Sequence, residues 1–288
     1  MISASLTEAL KKSNLDPLQL EQHVRAALAE DVRSGDVTSL ATIDTDQQST
    51  AYFTARKEGI VAGTCVAALV LEVSGISQYT ISKTDGSQVQ PGDVIITCTG
   101  ATSFILTAER TALNYLTHLS GIATATDIWT KTIAGTKAKI RDTRKTIPGL
   151  RELEKYAVRA GGGENHRISL AESALIKDNH IAAVGSLSAA VQRVRLKFPG
   201  IPIEVEADNL EQVREALELK VDIVLLDNMT LEMTRAAVEL ARSTKTKLES
   251  SGGLTLTTAA SYAATGVDYL AVGAITHSAP ALDIGLDF

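Results

Sequence analysis

The stretch that decides the fold is IPIEVEADNLEQVREALELKVDIVLLDNMTLEMTRAAVELARSTKTKLESSGG, residues 201–253. Three short runs, 201–208, 221–228 and 246–253, alternate with two amphipathic segments, LEQVREALELK and LEMTRAAVELARS. Strand, helix, strand at this spacing implies parallel strands joined by right-handed crossovers. The runs read as apolar, as expected where both faces of a sheet are covered. The texture continues on either side. KAKIRDTRK (137–145) and ALIKDN (174–179) lie upstream, each followed by a helical pattern, LRELEKYAVRA and LSAAVQRVRLKF. LTTAASYAATG and VDYLAVG (267–273) lie downstream. A doubly wound open sheet is the rival. It favours an early Gly-rich phosphate loop, and neither GxGxxG nor GxxxxGKS occurs. The pattern favours a (β/α) barrel, complete or not, of which six strands are clear.

The first 115 or so residues have a different texture. Asp16 can cap a helix, Pro17 suits its first position, and Leu20, Val24, Ala27 and Leu28 form one apolar stripe. Strand-like runs follow the loop EDVRSGDVTS: STAYFTARKEG, GIVAG, QYTISK and the turn-plus-strand QPGDVIITCTG. Val66 to Val73 fits helix or strand equally. From Thr102 a helical stretch runs to about Ala134, with a break expected near Gly121. The expected division is an N-terminal α+β sandwich domain over 1–115 and a barrel over 116–275.

Composition limits the function classes. The 288 residues are 44% hydrophobic and 22% charged, so disorder and fibrous folds are excluded for the chain as a whole. A net charge of −6 and only 4% aromatic residues argue against nucleic acid as a partner. Cys65 and Cys98 make neither a disulfide framework nor a zinc site and read as small buried hydrophobes. The N-terminus has no apolar signal core, and the longest uncharged apolar stretch, 60–71, is too short to span a bilayer. The expectation is a cytoplasmic enzyme with no membrane partner.

Charges fall where the apolar runs stop: Arg144 and Lys145, Lys177, Glu206, Asp227, and Glu249 with Ser250 and Ser251. The steps from Glu206 to Asp227 to Glu249 are 21 and 22 residues, one βα unit each. Equivalent positions on successive parallel strands share the C-terminal end of a barrel, where barrel enzymes build their sites. Strand ends are also simply where water begins. Crowding several ions into one mouth, however, costs several kcal/mol each unless ligands compensate. The signs divide the mouth. Arg144, Lys145, His166, Arg167 and Lys177 suit a small polyanion. Glu206 and Asp227 suit Mg²⁺ shared with substrate phosphates. Gly252, Gly253 and Gly273 leave backbone N–H groups for a phosphate. Lys177 fits either a Schiff-base or an anion-binding lysine. His180 and His277 read as structural or supporting groups, and His23 and His118 as surface or packing residues. Arg110 shares a helical face with Leu106, Leu113 and Thr117. It either snorkels to solvent or meets an anion across an interface.

Taken together, RDTRKT (141–146), GGGENHR (161–167), ALIKDNH (174–180), IEVEADN (203–209), VLLDNM (224–229), ESSGGL (249–254) and YLAVGAITHS (269–278) closely resemble the quinolinate phosphoribosyltransferase family over nearly the whole chain. The resemblance implies a sandwich domain joined by the C-terminal tail, 276–288, and an α/β barrel of six or seven strands. It implies a homodimer in which Arg110 crosses into the partner's site. It further implies that Arg110, Arg144, His166, Arg167 and Lys177 bind quinolinate, that Thr143 is substrate-binding, and that Lys145 bridges toward 5-phosphoribosyl-1-pyrophosphate (PRPP). Glu206 and Asp227 then hold Mg²⁺ and the ribose hydroxyls, and Ser251, Gly252, Gly253 and Gly273 receive the 5′-phosphate. Catalytic roles fall to Lys145, Lys177, Glu206 and Asp227. The implied products are nicotinate mononucleotide, pyrophosphate and CO₂. A sister phosphoribosyltransferase with another acceptor and a non-catalytic PRPP sensor are the alternatives.

Overall fold

A computed structural model describes residues 2–288. The chain forms two compact units. The first comprises 1–127, 148–162 and 278–288, and the second comprises 128–147 and 163–277.

The first unit holds helices α1 (Ala4–Lys12), α2 (Pro17–Val32), α3 (Val37–Thr42) and α4 (Thr64–Val73), most of α5 (Thr102–Thr132), and α6 (Arg151–Ala160). Its strands are β1 (Gln48–Ala55), β2 (Gly59–Ile60), β3 (Gln78–Ile81), β4 (Gln88–Val89), β5 (Val94–Ala101) and the chain's last, β12 (Ile284–Asp287). Four of them form an antiparallel sheet in the order β12-β1-β5-β3, and β2 pairs with β4. The Asp16 carboxylate accepts from the backbone N–H groups of Leu18 and Gln19 at 2.9 and 3.3 Å, and Leu20, Val24 and Leu28 are buried.

Two local outcomes differ from the pattern. The ambiguous segment 66–73 is helical. All of Val66–Leu71 is buried, so no polar face breaks the run into a period. Its N-terminal N–H groups at Gly63 and Thr64 donate to Asp85, each at 3.0 Å. The break expected near Gly121 is absent, and α5 runs unbroken through it. A Cβ at Gly121 would land on the backbone carbonyl of Pro280. The glycine serves close packing of the C-terminal tail, not a chain turn.

The second unit carries β6 (Lys139–Arg141), β7 (Ala174–Ile176), β8 (Ile203–Ala207), β9 (Ile223–Asp227), β10 (Lys247–Ser251) and β11 (Tyr269–Ala271). All pair in parallel, in the order β6-β11-β10-β9-β8-β7. Glu164 makes a further parallel bridge to Arg141. Among the described residues no ladder joins β6 to β7, so strand pairing leaves the ring open. The helices are α7 (Asp178–Val184), α8 (Leu187–Lys197), α9 (Leu210–Glu218), α10 (Leu231–Ala241), α11 (Leu256–Ala263) and α12 (Ala274–His277).

Side chains alternate along each strand. Val205, Ala207, Val224, Leu226, Leu248, Leu270 and Val272 form one buried apolar set. The alternate set, Glu204, Glu206, Leu225, Asp227, Glu249, Ser251 and Ala271, carries nearly all the polar groups. The expectation of strands apolar throughout therefore holds for one face only. Among the described residues no helix is long and apolar enough to cross a membrane.

Candidate active site

The alternate set opens into a cavity of about 630 Å³ in the second unit. Thr143, Arg144, Lys145, His166, Arg167, Lys177, Glu206, Asp227, Ser251, Gly252 and Gly253 all line it. Residues from segments more than a hundred positions apart thus meet at one place. The register explains the acidic side. Glu206 pairs with Leu225, and Asp227 lies two residues further on the same face of the neighbouring strand.

Two loops carry the basic side. The turn after β6 is held by Thr143, whose Oγ1 accepts from Lys145 N–H at 3.0 Å, and by Thr276, whose hydroxyl donates to the Lys145 carbonyl at 2.7 Å. Fully buried Asp142 ties this turn to the loop before β7. It accepts from Asn165 Nδ2 at 2.5 Å and from His166 N–H at 2.8 Å. Lys177 sits at the foot of α7, where the His180 ring accepts its backbone N–H at 3.1 Å, in keeping with a structural His180. His118 reaches Glu154 at 3.0 Å and His23 packs edge-on to Tyr115, both in the first unit.

The cations are poised for an anion. Arg144 Nε and Arg167 Nε are buried without a hydrogen-bond partner. Arg167 is held below the ordinary arginine range, first by burial and then by the like charge of Arg144. An entering carboxylate relieves both. The two sides of the mouth also touch, because Lys177 forms an ion pair with Glu206. The division into a basic and an acidic half is thus bridged.

The glycine-rich end of the cavity has its own geometry. Gly252 and Gly253 adopt φ of +87° and +60°. A Cβ at Gly252 would strike the Asn228 side chain. Asn228 itself sits at φ +52°, a region asparagine tolerates, and donates from Nδ2 to Asp227 at 2.8 Å. Gly273 does not line the cavity but lies against Lys145, whose Cδ is 3.2 Å from where its Cβ would be. Arg110 lies exposed on α5 in the first unit.

Pattern reading missed Leu175, Leu225 and Ala271, which give the cavity an apolar wall, as well as Asn228. The missed signal was strand alternation, which places Leu225 between Ile223 and Asp227 on the inward face. Glu249 was expected on the rim but is fully buried at the cavity floor. His166, Glu204 and Glu249 place ligand atoms within 4.8 Å of one another. The Arg141 guanidinium already supplies the cation there, 2.6 Å from Glu249, which disfavours a metal ion at that spot.

Known proteins resemble this chain over nearly its whole length. The family model for the quinolinate phosphoribosyl transferase N-terminal domain matches residues 36–120, and that for its C-terminal domain matches 122–287. The chain is 52% identical over 270 residues to the carboxylating nicotinate-nucleotide pyrophosphorylase of Mycobacterium leprae (strain TN), covering 92% of this chain and 95% of that one. It is 37% identical to the chloroplastic carboxylating nicotinate-nucleotide pyrophosphorylase of Arabidopsis thaliana, covering 99% and 89% respectively. The solved structure of the nicotinate-nucleotide pyrophosphorylase from Francisella tularensis superposes with a TM-score of 0.88 at 40% identity, covering 93% of this chain and 95% of that one.

Proposed function

The chain belongs to the quinolinate phosphoribosyltransferase family, and from that premise we infer that it transfers phosphoribose from PRPP to quinolinate, releasing pyrophosphate and CO₂ and yielding nicotinate mononucleotide for NAD synthesis. One observation carries the reading at the level of this chain. Two half-buried arginines, whose Nε groups are buried and unpartnered, share a cavity with Glu206 and Asp227. That arrangement suits a dianion placed beside a phosphorylated sugar.

The adjacent carboxylates of quinolinate repel each other and draw on several cations. Arg144, Arg167, His166 and Lys177 fit them through charge-assisted hydrogen bonds. The apolar wall of Leu175, Leu225 and Ala271 suits the pyridine ring. Gly252, Gly253 and Ser251 suit the 5′-phosphate, and Lys145, exposed at the rim, suits the pyrophosphate. Glu206 and Asp227 present oxygen donors to the cavity, a donor set that fits Mg²⁺. Glu206 and Asp227 would hold the ion there, where it would supply positive charge against the leaving pyrophosphate.

The residues act by placement and field. As the bond from ribose C1 to pyrophosphate breaks, positive charge grows on the sugar, and the acidic pair faces it. The quinolinate nitrogen attacks C1, and the ring becomes a pyridinium. That ring draws in the electron pair left when CO₂ departs from the neighbouring carbon, which then takes up a proton. No residue needs to act as a general base.

Further parts of the reading concern assembly and place. Arg110 is exposed, which suits a homodimer in which it completes the partner's site. The two free thiols and the phosphorylated substrate suit the cytoplasm. The direct test is turnover. Purified protein with quinolinate, PRPP and Mg²⁺ yields nicotinate mononucleotide, CO₂ and pyrophosphate in equal amounts, and replacing quinolinate with a pyridine monocarboxylate abolishes the product. Equal use of a monocarboxylate points instead to a sister enzyme. Folded protein that binds PRPP without turnover points to a sensor.

A further inference from the structure

Strands β6 and β11 are neighbours in the parallel sheet, with Arg141 opposite Ala271, so the turns that follow them run side by side. The first turn carries Lys145, which lines the cavity. The second, residues 272–277, does not line it, yet it meets Lys145 in two places.

One contact is to the backbone. Thr276, only 1% exposed, donates its hydroxyl to the Lys145 carbonyl at 2.7 Å, across 131 positions of chain. The same hydroxyl lies 3.0 Å from the Gly273 carbonyl, but that carbonyl already accepts the backbone N–H groups of Thr276 and His277 at 3.1 and 3.2 Å. The Lys145 carbonyl is thus the acceptor that depends on the hydroxyl. Thr143 accepts the Lys145 N–H at 3.0 Å, so both backbone polar groups of Lys145 are held.

The other contact is to the side chain. The backbone of Gly273 is not left-handed, so its φ suits any L residue. Space is what excludes a side chain there. An added Cβ would stand 3.2 Å from Lys145 Cδ and 3.3 Å from His277 Nε2. The lysine stem therefore lies against bare backbone. A lysine side chain is rich in rotamers, and a ligand that has to order one loses affinity by doing so. A stem that is already seated avoids that loss.

We propose that Thr276 and Gly273 are positioning residues for Lys145: the hydroxyl fixes the backbone from which the side chain springs, and the missing Cβ leaves room for the stem to lie along the turn. Both act through Lys145, and they set in advance where its ammonium meets the phosphate groups of PRPP. The proposal rests on reading Lys145 as a PRPP-binding cation of this cavity. It gives Gly273 a role other than offering an N–H group to a phosphate.

The test uses the full-length protein with Mg²⁺ and measures PRPP affinity by calorimetry without quinolinate, so that nothing turns over. Thr276→Val keeps the shape and removes the hydroxyl, and Gly273→Ala adds a methyl group under the stem. Each weakens PRPP about fivefold or more, the scale of one lost hydrogen bond, and leaves quinolinate affinity within twofold. Thr276→Ser keeps the hydroxyl and restores PRPP affinity to within twofold of wild type. Added to Lys145→Ala, neither substitution weakens PRPP further, because both work through that side chain. Factors that multiply instead overturn the proposal, as does unchanged PRPP affinity in either variant. Carbon-13 NMR of reductively methylated lysines, with Lys145 identified by Lys145→Arg, gives a readout that needs no substrate. The Lys145 signal moves in Thr276→Val and in Gly273→Ala while the other lysine signals stay in place, which also shows that the variants fold. A Lys145 signal that stays in place overturns the proposal. Protein that shows the expected shifts but binds no PRPP refutes the functional reading and leaves the positioning role standing.

Discussion

At the scale of single residues, charge and depth decide the outcome. Arg167 donates from Nη1 to the Ser173 carbonyl at 2.6 Å, and its Nε is unpartnered. Arg167→Ala therefore leaves the fold intact and weakens quinolinate by roughly ten- to hundred-fold, the worth of a charge-assisted hydrogen bond of about 1.5–3 kcal/mol. Calorimetry giving the wild-type affinity contradicts the assignment. Glu249 behaves differently. Burial, and then the charge of Glu204, push its pKa up from 4.5 to about 7, against the pull of Arg141 and His166. The native state then holds a proton that the unfolded chain has lost between about pH 4.5 and 7. Its contribution to stability falls as pH rises through that window, and the loss is complete above about 7. The effect is on the order of a few kcal/mol. Paired urea melts of the wild type and Glu249→Gln show a stability difference that moves against the wild type from pH 5 to pH 8; a constant difference rules this out. Of the rim cations, Arg144, Lys145 and Lys177 were legible in the sequence because each follows the end of an apolar run. The depth of Glu249 was not, because depth depends on how far each strand slides against its neighbours, and no single run contains that information.

At the scale of elements, local preference and tertiary packing can oppose one another, and magnitudes settle the contest. Alanine in the middle of a helix is favoured over glycine by about 1 kcal/mol. Gly121 lies inside the 31-residue α5, where an added Cβ would strike the carbonyl of Pro280. Overpacking of this kind costs about 1–3 kcal/mol or more. Gly121→Ala is thus expected to be a net loss of about 1–2 kcal/mol by chemical denaturation, and a more stable variant means that the tail yields. The same contest limits what the pattern could reveal. A glycine in a helical run reads as a break, although the reason for it lies some 160 residues away. The helix α4 gave no period because it is buried on all sides, and α7 went unnoticed because its seven residues include no buried one. The repeat of strands and helices from 137 onward was legible, because each amphipathic helix shows its buried stripe.

At the scale of the whole molecule, the proposed dimer gives a sharp expectation. If Arg110 serves the partner's site, Arg110→Ala and Lys145→Ala are each inactive alone. After unfolding and refolding together they form mixed dimers with one intact site. Activity returns to about a quarter of wild type, because half the dimers are mixed and each has one working site of two. A mixture as inactive as its parts places Arg110 in its own chain's site or outside catalysis. The identity of the acceptor was legible only from the ordered set of motifs, since no single strand end distinguishes a dicarboxylate from a phosphate. One more consequence follows from the pairing of Tyr52–Ala55 with Ile284–Asp287. During synthesis β1 is made early, and its neighbour β12 emerges about 230 residues later. At translation rates of about 5–20 residues per second, the flank of β1 waits roughly ten to fifty seconds for its mate. Throughout that interval the nascent chain presents a bare, hydrogen-bond-hungry margin beside Phe53 and Ala55, open to adhesion by neighbouring ribosomes' products. A message cut short before codon 284 leaves that margin uncovered for good, so the cell's chaperones and proteases meet a truncated product as a sticky one, with the cavity of the second unit otherwise whole.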